Sequence, residues 1–145
     1  YEAGLVMGHS HTNDPVSCNA GIASVKLAVE ENLAAKAKGM GQYWRGHLEK
    51  IAKRWGIVGD IRGRGLLQGM EFVRDQETKE AYFGFAKKVG KLCNEKGLFL
   101  SVRRKESTLR FVPPFTTTNE QFDRAAEIID SSIGEALESE ARPAK

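Results

Sequence analysis

The sequence is short of cysteine, has no long apolar run and carries little net charge, and each shortage removes a class of protein. Cys18 and Cys93 are the two cysteines in 145 residues. Neither has metal-ligand spacing around it, so neither a disulfide framework nor a zinc module is expected. A reduced, cytoplasmic compartment is the simpler setting, with an upstream organelle-targeting segment left open. No stretch approaches the roughly 20 apolar residues that a membrane-spanning helix needs, and no membrane partner is expected. The 22 basic and 19 acidic residues leave +3, with the two signs interspersed along helical faces. That is the pattern of a solvated surface; nucleic-acid binding would leave a basic stripe, and no nucleic-acid partner is expected. His9, His11 and His47 form no set with a nearby cysteine or carboxylate, so no metal site is expected.

What is present suits an α/β domain of ordinary composition, 41% apolar and 28% charged. The chain opens at Tyr1, inside a glycine-rich loop, and is expected to be a fragment with an upstream part. Asp14-Pro15 predicts a helix start, with Asp as N-cap and Pro at the first helical position. A helix rich in small residues follows over 16–30. Leu33, Ala37, Met40, Trp44, Leu48, Ile51 and Trp55 then recur at alternating steps of three and four, an apolar stripe on a long helix closed by Gly56. Gly39 and Gly41 weaken it and invite a kink. Residues 57–73 read as two short strands around a glycine turn. Tyr82, Phe85, Ala86, Val89, Leu92 and Cys93 mark one face of the next helix, which Gly97 ends. Strands are expected at 98–102 and 108–112, the second stopped by Pro113-Pro114. Thr118 and Gln121 form a capping box, and Phe122, Ala126, Ile129, Ile133 and Leu137 are the buried stripe of the last helix. Residues 139–145 are a polar tail expected to fray. The order predicts a short, mixed or antiparallel sheet with helices over one face.

Three segments carry candidate chemistry. Gly8-His9-Ser10-His11-Thr12-Asn13-Asp14-Pro15 offers hydroxyls and amides before a helix start, which suits an anion. It equally suits a polar turn that caps the helix, with Asp14 occupying the amides. Gly59-Asp60-Ile61-Arg62-Gly63-Arg64-Gly65 is glycine-rich between strands, but fits no nucleotide fingerprint and reads better as a tight turn. In Thr108-Leu109-Arg110-Phe111-Val112, alternation puts Leu109 and Phe111 on one face and Thr108, Arg110 and Val112 on the other. Arg110 is then either a carboxylate-binding guanidinium on a rigid strand or a surface arginine in a salt bridge.

In this order the segments resemble class III aminotransferases. The Gly8–Cys18 run is similar to that family's loop and helix start. Val58-Gly59-Asp60-Ile61-Arg62-Gly63-Arg64-Gly65-Leu66 followed by Leu67-Gln68-Gly69-Met70-Glu71-Phe72 is similar to its glycine-arginine hairpin. Leu109-Arg110-Phe111-Val112-Pro113-Pro114-Phe115 with Thr118-Asn119-Glu120-Gln121 is similar to its late strand, double-proline turn and final helix. The resemblance implies the C-terminal domain of a fold-type-I transferase dependent on pyridoxal phosphate: an α+β small domain with a short, mostly antiparallel sheet covered by helices, preceded by a long interdomain helix. Residues 1–31 would end the large cofactor-binding domain, and 32–145 would form the small one.

It further implies a homodimer with sites at the subunit interface, moving an amino group between a small-molecule donor and an oxo acceptor. Ser10 stands where the family usually has a threonine whose hydroxyl reaches the cofactor phosphate from the partner subunit. Arg110 matches an arginine that binds the substrate carboxylate in many members. The cofactor lysine lies upstream in the family, and no catalytic residue is assigned here. A decarboxylase or aminomutase of the same fold, or a non-catalytic regulatory or interaction module, are the alternatives.

Overall fold

A computed structural model describes residues 14–103 and 105–141. They fall into two units that divide between Ala35 and Lys36. The first holds α1 (Pro15–Glu30), and it opens as the sequence predicts. Asp14 caps it, accepting from the Ser17 amide at 2.8 Å and the Ser17 hydroxyl at 2.7 Å, with Pro15 in the first turn. No residue of α1 is buried, and Val16, Ile22, Val25, Leu27 and Val29 are exposed.

α2 (Leu33–Arg54) is one uninterrupted helix through Gly39 and Gly41. Within the second unit its stripe is the predicted one: Trp44, Leu48 and Ile51 are buried, and Ala37, Met40 and Trp55 partly so. Gly41 is there for proximity. A Cβ on it would stand 2.2 Å from the Gly65 carbonyl oxygen, so the helix backbone rests directly on a turn. That turn joins β1 (Val58–Arg64) to β2 (Leu67–Phe72), with Arg64 paired to Leu67. Gly65, at φ +54°, takes the first of its two loop positions, where two-residue hairpins favour a positive φ. The glycine-arginine run is thus a hairpin, the simpler of its two sequence readings.

α3 (Phe85–Glu95) buries Phe85, Ala86, Val89 and Cys93. Gly97, at φ +86°, lets the chain double back so that the Leu98 amide reaches the Cys93 carbonyl at 2.8 Å. Leu98 therefore still closes the helix, and the strand expected from residue 98 begins late, as β3 (Ser101–Arg103). Phe99 is left 82% exposed. β4 (Thr108–Phe111) lies between β3 and β2, giving the order β1-β2-β4-β3, antiparallel throughout.

α4 (Asn119–Ala141) starts with the predicted box: the Thr118 amide donates to Gln121 Oε1 at 2.9 Å, and the Gln121 amide to Thr118 Oγ1 at 3.3 Å. It buries Phe122, Ala126, Ile129 and Ile133 and runs to Ala141, into the segment expected to fray. The reason is Glu140, which accepts from the Tyr82 hydroxyl and from Lys88 Nζ. Helices and sheet enclose one core in this unit, in which Met70, Phe72 and Leu109 are fully buried beneath α3 and α4. The outcome is the expected α/β architecture, a short antiparallel sheet with helices on one side.

Candidate functional site

The sheet register decides which side chains share its other face. Ile61, Met70, Leu109 and Val102 pair across the four strands and turn inward. The rows on either side of them turn outward, because successive residues alternate. One such row is Arg62, Gly69, Arg110 and Ser101; the other is Asp60, Glu71, Thr108 and Arg103. Leu109 and Phe111 are buried while Arg110 and Val112 are exposed, the alternation read from sequence.

Two arginines stand on this polar face in opposite electrostatic states. Arg62 Nη1 lies 2.9 Å from Asp60 Oδ2 and 2.5 Å from Glu71 Oε2. The hydrogen bond to Asp60, then that to Glu71, hold its guanidinium above the ordinary range, so this charge is already answered. Arg110 has no hydrogen bond or ion pair among the described residues. Among the described residues no salt bridge holds it. A rigid strand holds an unpaired planar fork of donors, suited to two-point contact with a carboxylate.

Beside it, Thr108 is only 6% exposed and its hydroxyl has no partner among the described residues. Arg110 also lines a groove of about 560 Å³ together with Trp44, Phe99, Phe111, Pro113 and Phe122. The arrangement offers a cation next to apolar walls, and a capacity to bind and orient rather than to move protons.

Ser10 lies outside the described residues. Its neighbour Asp14 is described, and it occupies the first-turn amide of α1 itself. The Ser17 amide, then the Ser17 hydroxyl, hold the Asp14 carboxyl below the usual carboxylate range. The helix start is thus capped by a fixed negative charge, and a phosphate placed on those amides would be repelled. Elsewhere, burial pushes the Cys93 thiol up and leaves it an inert core residue. His47 Nε2 sits 2.9 Å from Asp123. Lys87, Lys88 and Lys96 are paired with Glu106, Glu140 and Glu135. Among the described residues no three His, Cys, Asp or Glu gather as metal ligands, and no helix is long and apolar enough to cross a membrane.

Two members of the polar face carried no chemical signal in the sequence. Thr108 is recognisable as a co-facial neighbour of Arg110 by alternation, but its unpartnered hydroxyl is a property of packing. Gly69 becomes a neighbour of Arg110 only through the β2–β4 register.

Comparison with known proteins agrees with this topology. Residues 3–133 match the family described as aminotransferase class-III. The leucine/methionine racemase of Thermococcus litoralis is 32% identical over 91% of this chain. The acetylornithine aminotransferase of Caldanaerobacter subterraneus subsp. tengcongensis is 33% identical over 84% of it. The chain spans 30% of the first of these relatives and 28% of the second. Among solved structures, the adenosylmethionine-8-amino-7-oxononanoate aminotransferase of Methanocaldococcus jannaschii is similar with a TM-score of 0.76 and 30% identity, covering 90% of this chain and 30% of that one. With the family matched over most of its length and the sheet, hairpin and final helix in the order that the resemblance requires, this chain belongs to the class III aminotransferases.

Proposed function

We propose that this chain is the C-terminal part of an aminotransferase that moves an amino group between an amino acid or amine and an oxo acid or aldehyde. Members of the family depend on pyridoxal phosphate, which, when bound, supplies the electron sink for bond changes at the substrate carbon bearing nitrogen. The observation that carries the reading is Arg110: in a chain of this family, a guanidinium with no partner among the described residues stands on a strand and lines an apolar groove. Its proposed role is to bind and orient the substrate carboxylate, fixing the rest of the molecule relative to the reacting centre.

The described residues do not fit as a cradle for the cofactor. Asp14 closes the helix start that lies next to the candidate loop. Contact with it is assigned to Ser10 alone, whose hydroxyl would donate to the phosphate, and the support for that is the family resemblance. The same resemblance supports a homodimer in which Ser10 serves the partner's site, and a division of labour between residues 1–31 and 32–145. Free thiols at Cys18 and Cys93 suit a cytoplasmic setting.

Relatives named as racemases share this part of the chain, so the reaction itself needs a direct test. The full-length enzyme is given an amino donor labelled with ¹⁵N together with a panel of oxo acids. Label in a new amino acid is the expected result. A donor that loses its handedness without passing on the label would replace transamination with racemisation. Release of free labelled ammonia or of carbon dioxide would replace it with a lyase or a decarboxylase.

A further inference from the structure

Three glycines lie inside the sheet strands, and their surroundings explain two of them. A Cβ on Gly59 would meet the Val73 side chain at 2.4 Å. Gly63 has φ +141°, and a Cβ there would stand 2.2 Å from the Leu67 carbonyl oxygen. Gly69 is under neither constraint. Its φ lies outside the positive range, and the atoms nearest an added Cβ would be Leu109 O at 3.6 Å, Thr108 Cγ2 at 3.7 Å and Arg62 O at 4.0 Å, all ordinary contacts. The strand has room for alanine, and a glycine in a strand interior costs stability. What the glycine preserves is therefore open space above the sheet, which is where a ligand or another backbone comes close.

The register says which of the two. Gly69 lies in one row between Arg62 and Arg110. On the Arg62 side the guanidinium is already answered by Asp60 and Glu71, and Glu71, which pairs across the ladder with Thr108, makes that end of the face unfavourable to an anion. On the other side Arg110 is the direct cross-strand partner of Gly69, and its guanidinium has no hydrogen bond or ion pair among the described residues. A guanidinium without a partner among the described residues, directly opposite a bare position, suits a carboxylate and places it towards the Arg110 end of β4. A passing backbone would bring its own amides and carbonyls and has no use for the cation.

We infer that Gly69 is a specificity-determining residue, its missing side chain leaving the shelf on which the carboxylate end of the substrate lies against the sheet while Arg110 grips it. The shelf works only if Arg110 holds the substrate carboxylate, so the experiment tests both residues side by side. The probes are acetate, butanoate and benzoate, used as competitive inhibitors of the full-length holoenzyme, in wild type, Gly69→Ala, Gly69→Val and Arg110→Ala. Melting temperature is read for each variant.

Gly69→Val should weaken all three inhibitors by roughly tenfold or more, benzoate most, the range for one misfitting group in a shaped pocket. Gly69→Ala should do so in smaller measure. Both variants should melt at or above the wild-type temperature, since the strand gains a better residue. Inhibition constants that stay at the wild-type level in both Gly69 variants, while Arg110→Ala loses the anions, would overturn the shelf and leave Arg110 standing. A drop in melting temperature in both Gly69 variants would make the glycine a packing requirement and overturn the shelf as well. Unchanged acetate inhibition in Arg110→Ala would remove the carboxylate role of Arg110, and the shelf with it.

Discussion

The Trp55 indole nitrogen donates to Asp130 Oδ1 at 2.6 Å, joining the residue just after α2 to the middle of α4 across 75 positions of sequence. Arg54 Nη1 reaches the other oxygen of the same carboxylate. Gly134, one turn on, is the floor for the indole: a Cβ there would come within 3.2 Å of Trp55 Cη2. One carboxylate therefore fixes where the end of the first long helix meets the last one.

Asp130→Ala should cost about 1–3 kcal/mol, because it strips a partly buried indole N–H of its acceptor. Asp130→Asn keeps an acceptor oxygen and gives up the ion pair with the largely exposed Arg54, and so should cost under about 1 kcal/mol. Urea denaturation of the chain and its two variants reads both numbers. Equal losses would mean that the charge, rather than the indole contact, matters.

The Tyr82–Glu140 hydrogen bond should make the C-terminal end of α4 sensitive to pH in both directions. The bond from Tyr82, and then Lys88, hold the Glu140 carboxyl below its ordinary range. The stability it adds is present above the unfolded value of about 4.3 and is lost as pH falls through the lower folded value. Tyr82 is shifted upward, first by its bond to Glu140. Its share is present below the unfolded value of about 10 and is lost as pH rises through the higher folded one. The melting-temperature gap between wild type and Tyr82→Phe should thus be widest and flat near neutrality and narrow in strong acid and strong base. A gap independent of pH would show that the bond contributes nothing.

Truncating Arg110 should separate recognition from architecture. Its side chain fills no cavity, since Leu109 and Phe111 make the buried contacts of that strand. Arg110→Ala in the full-length enzyme should lower kcat/KM for carboxylate-bearing donors by roughly 2–4 kcal/mol. A simple amine donor should lose far less. Arg110→Lys should also be damaging, because an ammonium lacks the planar fork. Equal losses for both donor types, or a collapse in melting temperature, would assign the residue to structure.

Ser10→Ala should weaken cofactor binding with little change in folding. One hydrogen bond to a charged phosphate is worth roughly 1.5–3 kcal/mol, an order of magnitude or more in the dissociation constant. An unchanged constant, measured by titrating the apoenzyme of the full-length protein, would leave Ser10 a turn residue.

Much of this geometry is written in local pattern, and the remainder depends on long-range meetings. The stripe through Trp44, Leu48 and Ile51, the box at Thr118 and Gln121, and the outward turn of Arg110 follow from spacings within one element. The late start of β3 reflects a local competition: residues 98–100 have a strand-like composition, but the glycine cap at Gly97 claims Leu98 for the helix. The difference between Arg62 and Arg110 is only half local: Asp60 lies two residues from Arg62 on the same strand, whereas Glu71 reaches it only through the β1–β2 register. Trp55 and Asp130, likewise, each sit in an unremarkable helical context, and nothing local announces their partner.

The contact between Gly41 and Gly65 bears on how this sequence can vary. It is backbone against backbone, with the vacant Cβ of Gly41 falling on the Gly65 carbonyl, so no neighbouring side chain can shrink to make room for a larger residue at 41. Position 65 is closed for a separate reason, its left-handed φ. Gly39, two residues away, has nothing within 4 Å. A saturation library over α2 should therefore recover almost any residue at 39 and glycine alone at 41, a sharp edge in mutational tolerance inside a single turn of helix.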